Sequence, residues 1–203
     1  MKGAGLMSEK TNDRRTIKTK KAICQAFAEL LAEKELHKIT VKEIIEKADI
    51  SRVTFYNHYL DVYDLQDKLE ESIMLEMASF VLALESVPPR EVFSKIIGYV
   101  NENRAAFRMI FSPNGTNKMR FSLGTLLEGL LRQLYFEKNE GAAGDRNADY
   151  MIYYRAQGMI LVLQKWVLDD FKETADIIIQ IMTVLDERTE ENFEAWKKKK
   201  QET

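Results

Sequence analysis

The stretch ISRVTFYNHY, residues 50–59, combines three aromatic rings with an arginine, an asparagine and a histidine. A buried helix would not hold Arg52, Asn57 and His58, and a helix surrounded by water would not hold so many rings. The stretch therefore predicts a short helix with two different faces. We expect Ile50 and Phe55 to pack in a core, with Val53 and Tyr59 as further candidates for that face, and the other face to meet a polar partner.

Three helix starts surround this stretch, at Thr40, Ser51 and Asp61. Thr40 and Glu43 have the spacing of a capping box, in which each side chain bonds the backbone N–H of the other. An apolar pair flanks each start, as in a hydrophobic staple; the pairs are Ile39 and Ile44, Ile50 and Phe55, and Leu60 and Leu65.

Two helices of about two turns each cannot bury themselves alone, so they need longer helices as packing partners. We expect a first helix at residues 13–34, ahead of the two short ones, and a long fourth helix from Asp61. A short helix, a tight turn and a second short helix form a helix-turn-helix, whose second helix enters the major groove of DNA.

The side chains of this unit suit both kinds of DNA contact. Arg52 can donate to a phosphate or a guanine edge, and Thr54 can offer a hydroxyl or a methyl group. Phosphate oxygens fix the register of a protein on DNA without being read as sequence. Residues suited to phosphate are Tyr56, Asn57 and His58, with Thr40 and Lys42 at the N-terminus of a helix. For Tyr56 the alternative is core packing, and for His58 a capping or surface position.

Composition and charge agree with this interpretation. The 203 residues include nine glycines and three prolines, and strong helix formers dominate, which predicts an all-α protein. Through Leu60 there are 12 basic and 8 acidic residues, and the remainder carries 18 basic and 24 acidic residues. A basic head on an acidic body is the asymmetry expected when one end binds a polyanion.

The same composition argues against several other classes. Two histidines and the single Cys24 cannot build a metal cluster, and no glycine-rich phosphate loop or activated nucleophile is present. We therefore expect neither an enzyme nor a cofactor. Residues 150–168 are apolar nearly all round but contain Arg155 and Lys165, so they predict a buried helix and no membrane span. With no signal peptide in front, the protein is expected to be soluble and cytoplasmic.

The N-terminal segment TKKAICQAFAELLAEKELHKITVKEIIEKADISRVTFYNHYLDVYDL closely resembles the DNA-binding domain of TetR-type transcriptional regulators. The shared elements are the apolar first helix, ITVKEI, ADIS, TFYNHY and the leucine that follows, within residues 16–69. The resemblance implies an N-terminal three-helix head at residues 12–60 and a larger helical body at 61–203. It also implies a homodimer, a near-palindromic double-stranded DNA operator, and a body that dimerises and often holds a small effector.

Residue by residue, Thr40 and Tyr56 match phosphate-contacting positions of the family, and His58 does so more loosely. Arg52, Val53 and Thr54 match the positions that most often approach bases. This chain departs from the family at the start of the fourth helix, where a lysine usually meets a phosphate. Here Val62 and Tyr63 stand instead, so that contact is either lost or made by Tyr63.

The body offers two further sets of candidates. Residues that can line an effector pocket are Met77, Phe80, Phe107, Arg108, Phe111, Met119, Tyr154 and Met159, although such residues are also typical of plain core. Residues that can form a dimer interface as a four-helix bundle are Tyr150, Leu161, Trp166, Ile178 and Ile181. The expected function is a repressor released from its operator by a small molecule. The alternative is a TetR-like scaffold whose body binds a protein partner.

Overall fold

A computed structural model of the chain describes residues 4–84, 87–115, 117–139 and 145–202. Every element within these ranges is helical, which confirms the all-α prediction. The elements are α1 (Ala4–Glu33), a 3-10 turn (Leu36–Lys38), α2 (Val41–Lys47), α3 (Arg52–Tyr56), α4 (Val62–Leu84), α5 (Pro89–Glu102), α6 (Arg104–Phe111), α7 (Asn117–Lys138), α8 (Arg146–Leu168) and α9 (Ala175–Gln201).

The first helix is longer than predicted. α1 begins at Ala4 instead of residue 13. Residues 4–12 lack an apolar stripe, so periodicity gives no signal there, but they contain no proline and include several good helix formers. α9 ends at Gln201, and the lysines in its last turn suit the negative end of the helix dipole.

The chain divides into two compact units. The first comprises Met1–Ser72 and Ala105–Gly115, and the second comprises Ile73–Arg104 and Thr116–Thr203. The first unit therefore extends beyond residue 60, since it includes the first half of α4 and nearly all of α6. The assignment of DNA binding to residues 12–60 and of effector binding to residues 61–203 stays a prediction.

The first unit is built on side chains that are fully buried. They come from α1, α2, α3 and α4 and comprise Ile23, Phe27, Leu31, Ile44, Phe55 and Leu65. α2 packs on α1 and α3 packs on α2. Ion pairs reinforce the first of these contacts, because Lys47 Nζ of α2 lies 3.0 Å from Glu29 Oε2 and 3.8 Å from Glu33 Oε1 of α1.

The segment after α6 closes the end of α1. Leu31 lies in the last turn of α1, where carbonyl groups have no partner within the helix. Its carbonyl oxygen accepts a hydrogen bond from Ser112 Oγ and another from Asn114 Nδ2, both at 2.8 Å. Ser112 is buried, so its hydroxyl group satisfies a carbonyl that water cannot easily reach.

In the second unit, α7 packs on α8, α8 packs on α9, and α5 packs on α9. A tight turn joins α8 to α9, in which Asp170 (φ 58°) and Phe171 (φ 56°) both have left-handed backbone conformations. Phe171 is held there by packing edge-to-face on Trp166, with ring centroids 5.0 Å apart. Trp166 Nε1 also donates to the carbonyl of Glu173 at 2.9 Å.

The capping box predicted at Thr40 is present. The Thr40 N–H donates to Glu43 Oε2 at 3.0 Å, and the Glu43 N–H donates to Thr40 Oγ1 at 3.3 Å. Lys34, at the end of α1, also binds the Glu43 carboxylate. The hydrogen bond from Lys34, followed by those from the Thr40 hydroxyl and amide, lowers the pKa of Glu43 to about 2.

We predict that Glu43→Gln weakens the start of α2 at neutral pH, because the amide cannot carry the charge that Lys34 binds. The folded-state pKa of Glu43 lies below its ordinary value of 4.5, so the contribution is fully present above that pH. It is lost as the pH falls towards about 2. Hydrogen exchange of the α2 amides should therefore be faster in the variant at pH 7, and this difference should shrink below pH 4.5.

Glu46→Gln is the matched control, since Glu46 forms an exposed pair with Lys42 at 3.8 Å. The same exchange rates in Glu43→Gln and the wild type at pH 7 would contradict the stabilising role of the ionised Glu43 carboxylate.

Candidate nucleic-acid interface

The turn between α2 and α3 fixes how these two helices are joined. α2 ends in a Schellman arrangement, in which the Ile50 N–H donates to the Ile45 carbonyl at 3.0 Å. Asp49 occupies the left-handed position of this motif with φ 53°, a conformation that glycine usually supplies and that aspartate tolerates. Backbone bonds hold the α2 end of this turn and the Ser51 side chain caps the α3 end, so the turn sets the angle at which α3 leaves α2.

α3 is a helix of five residues whose first turn is capped by Ser51. Ser51 Oγ accepts a hydrogen bond from the Thr54 N–H at 3.0 Å and lies 2.8 Å from the Thr54 hydroxyl oxygen. Phe55 is fully buried and anchors the helix in the first unit. Its ring packs edge-to-face on Tyr56 and at a tilt on Tyr59, with centroids 5.5 and 5.6 Å apart.

The opposite face of α3 is exposed, as the sequence predicts. Arg52, Val53, Tyr56 and Asn57 are all exposed, and Thr54 and His58 are half-buried. The expectation that Val53 belongs to the packing face is wrong, because its side chain is 70% exposed. Tyr59, the other uncertain member of that face, is buried. Val53 therefore joins the surface that can meet a partner.

The start of α4 differs in part from the prediction. Asp61 is the expected cap, since its Oδ1 accepts from the Tyr63 N–H at 2.8 Å and the Asp64 N–H at 2.9 Å. Leu60 does not form the expected staple with Leu65, because it is 76% exposed. A polar bond takes the place of the apolar pair: the Leu60 N–H donates to Asp64 Oδ2 at 2.8 Å.

The two residues that stand in place of the family's lysine have different environments. Val62 is buried and Tyr63 is exposed. Of these two side chains, only Tyr63 is accessible to a phosphate. A phosphate contact by Tyr63 stays a prediction.

Lys68 is a supporting residue that the sequence reasoning missed. Its Nζ donates to the His58 carbonyl at 3.2 Å and to Asp64 Oδ2 at 2.9 Å, and lies 5.9 Å from the centre of the Tyr59 ring. Lys68 thus joins the residues that follow the C-terminus of α3 to the first turns of α4. The four-residue spacing of Asp64 and Lys68 was the available signal for this ion pair.

Several cationic side chains of the first unit are exposed. Lys18, Lys20 and Lys21 on α1 are exposed, as is Lys42 in the first turn of α2. Thr40, which precedes α2, is also exposed. Together with Arg52, these residues supply cationic side chains and the N-terminus of a helix. Both kinds of group bind the phosphates of a nucleic acid.

The residues expected to line an effector pocket do not gather in one unit. Met77, Met119 and Met159 are buried residues of the second unit, where Phe80 stacks on Tyr99 with ring centroids 4.1 Å apart. The other candidates depart from the expected pocket in two ways. Phe107, Arg108 and Phe111 belong to the first unit, because the apolar face of α6 joins the core around α1. Tyr154 is 67% exposed and lines no buried site in the single chain.

The residues expected at a dimer interface fall into two groups. Tyr150, Leu161 and Ile181 are exposed on α8 and α9. The assignment of Trp166 and Ile178 to the dimer interface is wrong, since both are buried within the single chain. Trp166 packs on Phe171 in the α8–α9 turn, and Ile178 lies on the inward stripe of α9. Helical periodicity shows that such residues share a face but does not show which neighbour covers it.

Comparison with known proteins agrees with this geometry. Residues 89–187 match the family model TetR_C_8, described as the transcriptional regulator C-terminal region. The matched region supports a TetR-family transcriptional regulator. The match covers the body, whereas the sequence resemblance lies in the head, so independent parts of the chain lead to the same TetR assignment. The TetR family is one of regulators and not of enzymes, as the composition predicts.

Two curated relatives are similar over part of their length. YxbF of Bacillus subtilis (strain 168), named as an uncharacterized helix-turn-helix regulator, is 43% identical over 58 residues, which are 28% of this chain and 15% of YxbF. DhaS of Lactococcus lactis subsp. lactis (strain IL1403), named as the transcriptional activator of the dhaKLM operon, is 26% identical over 121 residues. These are 54% of this chain and 65% of DhaS. The chain thus spans less than two thirds of either relative.

Solved TetR-like structures show the same fold. The dihydroxyacetone kinase operon activator DhaS has a TM-score of 0.55 at 20% identity, with 83% of this chain and 96% of that chain covered. FadR of Bacillus halodurans, named as a fatty acid degradation regulator, has a TM-score of 0.61 at 14% identity, with 82% and 93% covered. FadR of Bacillus subtilis in complex with stearoyl-CoA has a TM-score of 0.54 at 16% identity, with 79% and 96% covered.

None of the described helices combines the length and apolarity needed to cross a membrane. Within the same residues, no three or more His, Cys, Asp or Glu side chains are arranged to hold a metal ion.

We predict different effects from two substitutions on the exposed face of α3. Tyr56→Phe removes a hydroxyl group suited to phosphate, so it should weaken binding about tenfold on every DNA sequence. Arg52→Ala should change the order of preference among sequences and cost about 1–3 kcal/mol on the preferred one. Both are measured by titration against a panel of duplexes that differ at single base pairs.

The comparison reports on DNA contacts only if α3, with its Ser51 cap, stays folded in both variants. Helix content and melting temperature provide that control. Equal losses on every duplex for both variants would remove Arg52 from base recognition.

Proposed function

We propose that this TetR-family protein is a sequence-specific, homodimeric DNA-binding regulator that acts in the cytoplasm as a repressor. The observation that carries the proposal is α3 itself. Its core face is fixed by the buried Phe55, and its opposite face presents Arg52, Val53 and Tyr56 to solvent. The outer side chains of this five-residue helix contribute nothing to the core, which favours an external partner.

The residues divide by the DNA group that each can bind. Arg52, Val53 and Thr54 occupy the first turn of α3, the part of a recognition helix that reaches base edges. The phosphate contacts are assigned to Thr40, Lys42, Tyr56, Asn57, His58 and Tyr63. The Thr40 backbone and the first amides of α2 add the positive end of a helix dipole.

The second unit supplies a surface for dimerisation. Exposed apolar residues follow one stripe of α8 at Tyr150, Tyr154 and Leu161 and one stripe of α9 at Ile177, Ile181 and Leu185. α8 and α9 pack on each other, so a second copy of the chain can cover both stripes as a four-helix bundle.

Gly158 supports close contact along the same stripe of α8. A Cβ atom added there would meet no heavy atom within 4 Å, so nothing in the single chain requires a glycine. Glycine inside a helix costs about 0.5–1 kcal/mol relative to alanine. A partner helix passing near Gly158 would explain why the small residue is present.

We propose a small-molecule effector as the signal. Buried methionines of the second unit, together with Phe80 and Tyr99, provide the apolar surroundings in which such ligands bind. One structural neighbour, FadR of Bacillus subtilis, was solved with stearoyl-CoA. A ligand can release the operator only by as much as it prefers the non-binding arrangement of the two α3 helices.

A second candidate function is supported by exposed apolar side chains outside the α8 and α9 stripes. Leu75 and Leu82 lie seven residues apart on one side of α4 and are exposed, as is Phe121 on α7. Such residues are suited to a protein partner of the body, which would then carry the signal in place of a metabolite.

We predict that Leu161→Glu or Ile181→Glu abolishes the dimer. Each would place an unpaired carboxylate in the proposed interface, which should raise the dissociation constant by about two orders of magnitude or more. Sedimentation velocity over a concentration series measures this. Leu75→Glu is the matched control, because Leu75 is equally exposed but lies on α4. A dimer unchanged by the α8 and α9 substitutions would place the interface elsewhere.

The experiment that tests the function is titration of the purified protein with the DNA upstream of its own gene and with random DNA over a salt series. Preference for the upstream DNA, with a steep fall of affinity as salt rises, is the result expected of a sequence-specific regulator that neutralises several phosphates. Equal and weak binding to both would contradict regulation of its own gene through α3.

A further inference from the structure

The inward face of α9 changes character halfway along the helix. Ile178 and Met182 are buried apolar residues four positions apart. The same spacing continues with Asp186, Glu190 and Glu194, so the second half of the stripe is acidic. Each of these carboxylates has a partner on another helix: Asp186 binds Arg155 of α8, Glu190 binds Arg155 and Lys138, and Glu194 accepts from the Tyr135 hydroxyl.

Arg155 is the centre of this ionic stripe. Its Nε lies 2.6 Å from Asp186 Oδ1 and its Nη2 lies 2.7 Å from Asp186 Oδ2, which is a two-bonded fork. A third nitrogen, Nη1, lies 3.0 Å from Glu190 Oε2. Only 9% of Arg155 is exposed. Burial, the largest single effect, acts to lower the pKa of Arg155, but the hydrogen bonds and negative charges of Asp186 and Glu190 together outweigh it and the pKa stays above its ordinary value.

The ion pair lies beside the proposed dimer surface on both helices. Arg155 follows Tyr154, which is exposed on α8, and Asp186 follows Leu185, which is exposed on α9. Successive residues of a helix point about 100° apart. Because both oxygens of Asp186 are engaged by the planar guanidinium, the pair restricts the rotation and the axial position of each helix against the other. It thereby restricts how Tyr154 and Leu185 are placed relative to each other.

An ion pair suits this role better than an apolar contact does. Apolar side chains pack acceptably in several registers, whereas a buried charge moved away from its partner costs much free energy. The net contribution of a buried pair to stability is small, because desolvation offsets the attraction. Its main effect is therefore to exclude wrong registers of α8 on α9.

We infer that Arg155 and Asp186 are positioning residues for the dimer: the fork between them sets the register in which α8 and α9 present their exposed stripes. This inference rests on the proposed dimerisation through α8 and α9. Neither side chain contacts the second copy. Their loss acts through the alignment of Tyr150, Tyr154 and Leu161 with Ile181 and Leu185.

The test compares the wild type with Arg155→Met/Asp186→Leu, which replaces the pair by apolar residues of similar size, and with Arg155→Lys. The matched control is Lys42→Met/Glu46→Gln, because Lys42 and Glu46 form an exposed pair at 3.8 Å on α2, an element of the first unit. Helix content and melting temperature report on folding, and sedimentation velocity of the full chain gives the dissociation constant of the dimer.

We expect the apolar double variant to keep its helix content and melting temperature while its dimer dissociation constant rises at least about tenfold. Arg155→Lys keeps the charge but lacks the planar fork, so it should lie between the double variant and the wild type. The control pair should leave the dissociation constant unchanged.

Three results would overturn the inference, and they are distinguishable. A dimeric wild type with the same dissociation constant in the double variant overturns the positioning role alone. If the double variant loses helix content, the test rests on Arg155→Lys. A wild-type dissociation constant in that variant then overturns the positioning role alone. A monomeric wild type overturns the proposed dimerisation and this inference together.

Discussion

The burial of Phe55 is the constraint on which the recognition surface depends. α3 has only five residues and cannot persist as an isolated helix. Its position is fixed because the Phe55 ring is enclosed in the first unit, while Ser51 caps one end and Lys68 binds the carbonyl at the other. Every outward side chain of α3 is then presented at a fixed angle, so the exposure of Arg52 and Tyr56 follows from what Phe55 buries.

Much of the first unit was predictable because its signals are local. The capping box at Thr40, the caps at Ser51 and Asp61 and the tight turn each depend on residues no more than five positions apart, and all are present. The exposed face of α3 followed from the same reasoning, because a helix that buries Phe55 must turn Arg52 and Asn57 outwards.

The remaining features depend on what each side chain meets in the folded chain. The Leu60 side chain is exposed while its amide bonds Asp64, and Trp166 is buried where Phe171 packs on it. α6 joins α1 through Ser112 and Leu31, residues 81 positions apart, so reading α6 as a pocket wall of the body missed its attachment. Periodicity defines the apolar side of a helix, but only the fold defines its neighbour.

The central claim is that α3 acts in pairs, held at one spacing by a dimer of the second unit. Recognition helices of such dimers reach successive major grooves roughly 34–36 Å apart. The most direct test is affinity for an operator whose half-sites are moved apart by about 5 or 10 base pairs. The account predicts weak binding when the half-sites are moved by half a turn and partial recovery when they are moved by a full turn. Only the full-turn shift returns both half-sites to the same face of the duplex. Equal affinity at every spacing would show that single α3 helices bind independently and would contradict the account.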